Sequence, residues 1–267
     1  MTRRHAFALL FAAAAQPASG ALGAEMSRAE VLGFSENGSV FAFQEYGIAD
    51  GIGGAYASFF AIDVASDTWL DGTPIHLTPR EGDDDQTAFA DGQAMSQEQI
   101  DRRLSRHQRR KLMKLAAPIL REIGPLHPPE QRVVRAPQDF TDDSRVARFS
   151  NLGFQTRYNT APDTRMWRVD LTEIDFPKAE NCFDFFEGTK GYKLTLTNET
   201  TGVVTVLNQD KRVPKSRGCP QSYSIEQILT YGPPQGPFSL AVLVRYGRLG
   251  FEGLDGRLLA VTARVSP

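Results

Sequence analysis

Short apolar runs separated by turn formers, lying on both sides of a single stretch of helical period, constrain this chain more than anything else in it. Between residues 30 and 75 the runs at 31–34, 39–45, 57–64 and 69–70 are divided by Ser35-Glu36-Asn37-Gly38 and by a glycine-rich turn at 50–54. Asn-Gly between apolar runs is a strong hairpin signal, because both residues tolerate the positive φ that tight hairpin turns require. This half therefore reads as an antiparallel meander. Strand patterns return at 166–176, 192–198, 203–207, 223–231, 238–246 and 257–265, with Glu199-Thr200-Thr201-Gly202 marking another hairpin. The expected fold is mainly β: antiparallel meanders forming two packed sheets or a degenerate propeller-like assembly, with one amphipathic helical insertion.

The insertion begins at Ser96, which forms a capping box with Gln99, and Ile100, Leu104, Leu112, Leu115, Ile119 and Ile123 recur at helical period. Pro118 is expected to kink or divide the helix, leaving Ala117 as the last residue of its first segment. Away from the apolar stripe stand Arg102, Arg103, Arg106, Arg109, Arg110, Lys114 and Arg121. With Lys111 the segment carries eight basic residues against Glu98, Asp101 and Glu122. The partner surface expected from this face is Arg102, Arg106, Arg109 and Arg110, docking on an anionic envelope component or an acidic protein. The other reading is a solvated face.

Around the helix, residues 78–95 are turn-rich and acidic and read as an exposed loop centred on Asp83-Asp84-Asp85. They lack the alternating spacing and distal glutamate of a calcium loop. Four prolines make 125–143 a linker. The expected organisation is thus a signal at 1–24, an N-terminal β meander at 25–77, loop, basic helix (about 96–123) and linker at 78–143, and a C-terminal β-rich unit at 144–267. Residues 25–267 are expected to form one folded domain of roughly 243 residues, enough for a substantial core.

Arg3 and Arg4 precede an apolar stretch at 6–15 too short to span a bilayer, followed by small residues up to Ala24. This is the pattern of a secretory signal cleaved near Ala24, within about three residues. The paired arginines leave twin-arginine export open beside the general route. The chain is therefore expected in the periplasm or outside the cell, with no transmembrane segment after the signal. Cys182 and Cys219 are the two cysteines, and an even count in an exported chain points to one disulfide, with two buried thiols as the alternative. The whole chain carries a net charge of −2. That balance disfavours nucleic acid as a partner.

Phe34-Ser35-Glu36-Asn37-Gly38 and Ile62-Asp63 look like the turn and strand end of one blade in exported β-propellers. A weaker echo aligns Asn37-Gly38-Ser39-Val40 with Asp255-Gly256-Arg257-Leu258, each after a Gly-Phe pair, as two hairpins of one repeat would. A broader resemblance rests on Gly33-Phe34-Ser35 through Gly47 and Asp50-Gly51, on Arg212-Val213-Pro214-Lys215-Ser216-Arg217-Gly218-Cys219-Pro220, and on Gly250-Phe251-Glu252-Gly253. These segments resemble a family of predicted secreted bacterial proteins, domain of unknown function 2259. The resemblance spans nearly the whole chain after the signal, and Ser216 to Pro220 is its most specific part. It implies export and inheritance as a single unit, and it carries over no activity and no residue role. Where the family ending has Asp followed by a basic residue, this chain reads Asp255-Gly256-Arg257.

For chemistry the sequence offers little. His76, His107 and His127 fall in no metal or nucleophile motif, and no Gly-x-Ser-x-Gly, phosphate-binding or dinucleotide-binding sequence occurs. No cofactor and no metal is expected. Carboxylates remain: Glu45 and Asp50 bracket one glycine-containing loop, Glu252 and Asp255 another, and pairing of the two meanders would open both on one rim. These four are the expected ligand-binding residues, with Tyr46, Tyr56 and Trp69 as an aromatic platform. The function expected is a non-catalytic binding or envelope-associated module. The alternative is a carboxylate-dependent hydrolase of envelope glycan.

Overall fold

Asn37 and Gly38 form the turn predicted for them: Gly38 takes φ +72°, and Asn37 Oδ1 accepts from the Ser39 amide at 2.9 Å. The hairpin they close starts a computed structural model that describes residues 25–49, 54–79, 89–90, 93–94, 96–134, 142–150, 165–178, 180, 182–184, 186–233, 236–250 and 253–266. The signal at 1–24, Asp50, Asp83-Asp84-Asp85 and Glu252 lie outside the described residues.

The first sheet comprises β1 (Arg28–Ser35), β2 (Val40–Ile48), β3 (Ala55–Asp63), β4 (Thr68–Trp69) and β5 (Ile75–Leu77), all antiparallel. Within the stretch read as an exposed loop, β6 (Phe89–Ala90) and β7 (Gln93–Ala94) form a small ladder. Then come α1 (Gln97–Ile123), β8 (Leu126–His127) and β9 (Gln131–Val134). The expected linker therefore holds two short strands: β8 extends the first sheet beside β1, and β9 pairs with a strand near the end of the chain. Pro125, Pro128 and Pro129 bound these strands without interrupting them, which suits edge positions where a missing amide costs nothing.

A second sheet runs β10 (Val146–Ser150), β11 (Met166–Pro177), β12 (Gly188–Asn198) and β13 (Val204–Gln209). A third runs β9, β14 (Pro220–Tyr231), β15 (Phe238–Leu249) and β16 (Leu254–Val265). Among the described residues the architecture is thus mainly β, with three larger antiparallel sheets, the small β6–β7 ladder and one α-helix, where the sequence led us to expect two packed sheets or a propeller-like assembly. The third sheet explains the difference. The burial of β14 and β15 is near continuous, as in a strand covered on both faces, rather than alternating. Tyr223, Ile225, Ile228, Leu240, Val242 and Val244 pack on the second sheet, while Leu229, Ala241, Leu243 and Leu258 pack on Phe34, Phe41, Phe43, Phe60 and Ile62 of the first. A bulge between Ile225 and Gln227 shifts the register of β14 against β15, so that Ile225 and Ile228 share a face.

Alternation in the first sheet sends Ala42, Ala57, Phe59 and Ala61 the other way, onto Leu112 and Ala116 of α1. The small alanines let the helix approach closely. The capping box forms as predicted, and the Gly124 amide bonds to Leu120 O at the far end. Pro118 lies inside the helix, which continues through Ile123 and is not divided at Ala117. It sits on an exposed turn, where the lost backbone bond is open to water. Leu115, expected in the apolar stripe, is 50 % exposed, and Gln108 and Ala116 occupy the buried line in its place.

The echo between the two hairpin motifs does not correspond to equivalent structure. Asn37-Gly38 is a turn, whereas Asp255 and Gly256 lie inside β16, paired with Arg248 and Gly247. Gly256 instead receives the start of the described chain: Met26 bridges it in parallel, its amide donates to Glu25 O at 2.7 Å, and its carbonyl accepts from the Ser27 amide at 3.0 Å. Cys182 and Cys219 form a disulfide, tying the connection after β11 to the approach to β14.

Candidate functional site

Two recesses hold the residues singled out from the sequence. The first opens where the first and third sheets part. Its base is a row set by register alone: Glu45 on β2 is opposite Ser58 on β3, and Ser58 is opposite His76 on β5. Ser58 Oγ and His76 Nδ1 are 2.9 Å apart. Tyr56, Tyr246, Arg248 and Arg257 complete the walls of a pocket of about 370 Å³.

Glu45 is held from two directions, accepting on Oε1 from Ser27 Oγ at 2.7 Å and from the Leu258 amide at 2.9 Å. Burial pushes its carboxyl above the usual range, against the opposing hydrogen bond from Ser27 and the Arg257 charge. Arg257 is itself engaged, bonding the Glu25 carboxylate at 2.8 Å and 3.4 Å and covering the Tyr56 ring at 4.0 Å. Deeper in, Arg245 is 1 % exposed, donates to Glu226 Oε2 at 3.1 Å and to Ser27 O at 3.0 Å. Asp255 accepts from the Glu25 amide at 3.1 Å. The meeting of N- and C-terminal strands therefore does gather Glu45 and Asp255 around one segment, residues 25–27. Of the other two acids in the expected set, Asp50 and Glu252, the structure describes neither.

The aromatic platform does not assemble. Tyr56 lines the pocket, Tyr46 faces the helix under Arg109 at 4.3 Å, and Trp69 packs on Phe60 at 5.3 Å between ring centroids. Alternation along β2 puts Tyr46 on the helix face, whereas Tyr56 and Trp69 share the other face but lie apart along β3. Ser58 and His76 are the residues that sequence reasoning missed. Their only signal was strand register, which no motif encodes. Burial lowers the His76 pKa, keeping the imidazole neutral at pH 7. A nucleophile relay needs its acid on the far nitrogen of the imidazole, and among the described residues no carboxylate bonds there. Glu45 borders the serine instead. The row is thus suited to hydrogen bonding rather than proton relay.

The second recess is a groove of about 1010 Å³ between α1 and the strands β1 and β2. Leu32, Met113 and Ala117 supply apolar surface, and Arg106, Arg110, Lys111 and Lys114 stand on its rim, all exposed. Of the four arginines expected as a partner surface, only Arg106 and Arg110 belong here as outward charges. Arg109 turns inward, paired with Glu30, with Nε 3.4 Å from Gln44 Oε1. Arg102 is exposed one turn earlier and pairs with Glu98. The helical period is the reason: positions 102, 106 and 110 advance along one line, while 109 falls on the line facing the sheet.

Among the described residues no three metal-ligating side chains converge, and no helix is long and apolar enough to cross a membrane. No curated protein and no solved structure matches the chain. One family model does match, that of a predicted secreted protein, DUF2259, over residues 42–264, from within β2 to near the end of β16. The match takes in the pocket-lining residues from Glu45 to Arg257, and the chain belongs to this family of predicted secreted proteins, DUF2259.

Proposed function

We propose that this is a periplasmic, non-catalytic binding module that attaches to the anionic surface of the cell envelope through the groove beside α1. The observation that carries the reading is the pairing of an apolar floor (Leu32, Met113, Ala117) with an exposed cationic rim (Arg106, Arg110, Lys111, Lys114). That combination suits a lipid with an anionic headgroup: acyl carbon against the floor, phosphate among the cations. The charged n-region, short apolar stretch and small residues of 1–24 support removal of a signal and release into the periplasm. The test is co-sedimentation of the processed protein with vesicles of phosphatidylglycerol and of phosphatidylcholine. Binding to the former alone, weakening steeply as salt rises, is expected. Equal retention on both lipids would reject the reading.

Carboxylate-dependent hydrolysis of envelope glycan draws on one observation, the Glu45 carboxyl whose pKa burial raises beside an open pocket. That is the property of a general acid. Against it, Glu45 Oε1 already accepts two hydrogen bonds and Asp255 is spent on the Glu25 amide, as in structural carboxylates. Release of reducing ends from peptidoglycan by the wild type, lost in Glu45→Gln, would reverse the order of the two readings.

A further inference from the structure

A third recess, of about 480 Å³, lies between the second sheet and the last residues of β16 and shares no residue with the groove or the pocket described above. Leu196, Val203, Leu207, Ala263 and Val265 make its walls apolar. That volume is in the range of small-molecule sites.

Two polar groups are set into those walls. Trp167 is 4 % exposed, and its buried indole N–H bonds to no described residue. An indole nitrogen only donates, so an acceptor alone can satisfy it. Asn198 is likewise 4 % exposed. Its Oδ1 accepts from the Thr200 amide at 3.0 Å and the Thr201 amide at 3.2 Å, which fixes the orientation of the carboxamide and leaves Nδ2 donating to no described residue. Donors held in buried side chains without an acceptor are rare in folded proteins, and here two stand together. Register puts them there: Trp167 on β11 is directly opposite Asn198 on β12, so their side chains share one face of the sheet. The Trp167 ring also stands edge to face with Phe238, 5.6 Å between centroids, which presets its N–H.

A cation in the lining, Arg264, has its guanidinium engaged elsewhere: Nη1 donates to Ser239 Oγ at 2.7 Å and lies beside Gly38 at the β1–β2 turn. The fit is therefore to a neutral acceptor on an apolar molecule. A carbonyl oxygen has two lone pairs, one for each donor. We propose that this recess binds a small, neutral, apolar molecule presenting a carbonyl oxygen, of the ketone or ester class. The oxygen accepts from Trp167 Nε1 and Asn198 Nδ2, and the aliphatic walls cover the rest.

The test is titration of the isotope-labelled processed protein with acetophenone and, as the same skeleton without oxygen, ethylbenzene, read from the indole N–H resonances. The sequence holds two tryptophans, so Trp69→Phe assigns the signal of Trp167. A saturable downfield shift of the Trp167 N–H proton is expected with acetophenone, and ethylbenzene should bind about tenfold more weakly, or worse, for want of two neutral hydrogen bonds. Asn198→Asp keeps the acceptor for Thr200 and Thr201 while removing the donor, and Trp167→Phe keeps a ring against Phe238 while deleting the N–H. Each should weaken acetophenone by about tenfold, measured by calorimetry on variants whose cooperative thermal unfolding shows them folded. A variant carrying Arg106→Glu and Arg110→Glu should bind acetophenone as the wild type does, so that failure of the groove and failure of this site are separate results. An unshifted Trp167 resonance, equal affinity for ethylbenzene, or undiminished binding in either folded variant would overturn the proposal.

Discussion

Glu45 shows how one buried carboxyl couples pH to stability. Its pKa is raised by burial, so as pH rises past the ordinary carboxyl value the unfolded chain loses this proton before the folded one does. The folded state then holds more protons, and stability falls with pH until the raised pKa is passed. Glu45→Gln keeps an oxygen to accept from Ser27 and Leu258 and has no proton to lose. Urea unfolding across about pH 4 to 8 should therefore show a decline in the wild type that is reduced in the variant. An identical slope in both would mean that Glu45 ionises freely in the fold. Glu173 acts in the opposite sense. Burial tends to raise its pKa, but bonds from Lys190 at 2.8 Å and the Tyr223 amide at 2.9 Å, with the Arg145 charge, hold it below the usual range. Its stabilisation is present above the ordinary carboxyl pKa and is lost as pH falls through the lowered one. Arg245→Ala should cost about 3–5 kcal/mol in the same assay, because it strands Glu226 as a buried charge. A loss within about 0.5 kcal/mol would show that water reaches the pair.

At the scale of elements, α1 is held by its docking line and not by its charge. Leu112→Ala removes a fully buried side chain facing Ala57 and Phe59 and should cost about 2–5 kcal/mol. Leu115→Ala, three residues on and half exposed, should cost less than about 1 kcal/mol. Equal losses would place the helix in a different rotation on the sheet. The helix was legible in the sequence because Ser96, Gln99 and the recurring leucines agree on one period. Its exact buried line was not, since Gln108 and Ala116 are silent in a search for large apolar residues. Gln108 is buried because its Nε2 donates to Ala55 O at 3.1 Å, a bond visible only once β3 lies beneath it. The strands divide the same way. The β1–β2 hairpin was fixed by Asn37-Gly38, a local signal. The third layer was not evident, because β14 and β15 read as ordinary strands until both their faces are seen covered. Ser58 and His76 come together only through a register that strands 18 residues apart share.

For the whole molecule, long-range ties join what the sequence order separates. Residues 25–27 lie against β16, Asp67 accepts from the Thr262 amide and hydroxyl at 2.7 and 2.9 Å, and the disulfide joins positions 37 residues apart. Cys219→Ser should lower stability by about 4 kcal/mol if the loop-closure entropy of the unfolded chain is the main term. An unchanged midpoint with and without reductant would show the bond to be dispensable. These ties leave the groove beside α1 intact as a rim of cations over an apolar floor, and attachment to an anionic envelope surface is the claim on which the functional account stands. The direct measurement is titration of phosphatidylglycerol vesicles with the processed wild type, with a variant carrying Arg106→Glu, Arg110→Glu and Lys114→Glu, and with Arg102→Glu. The account predicts that the triple variant loses vesicle binding by a hundredfold or so while its thermal midpoint moves little, since exposed charges contribute about 0–1 kcal/mol to folding, and that Arg102→Glu binds nearly as the wild type does. Undiminished binding by the triple variant, or no binding by the wild type, would contradict it.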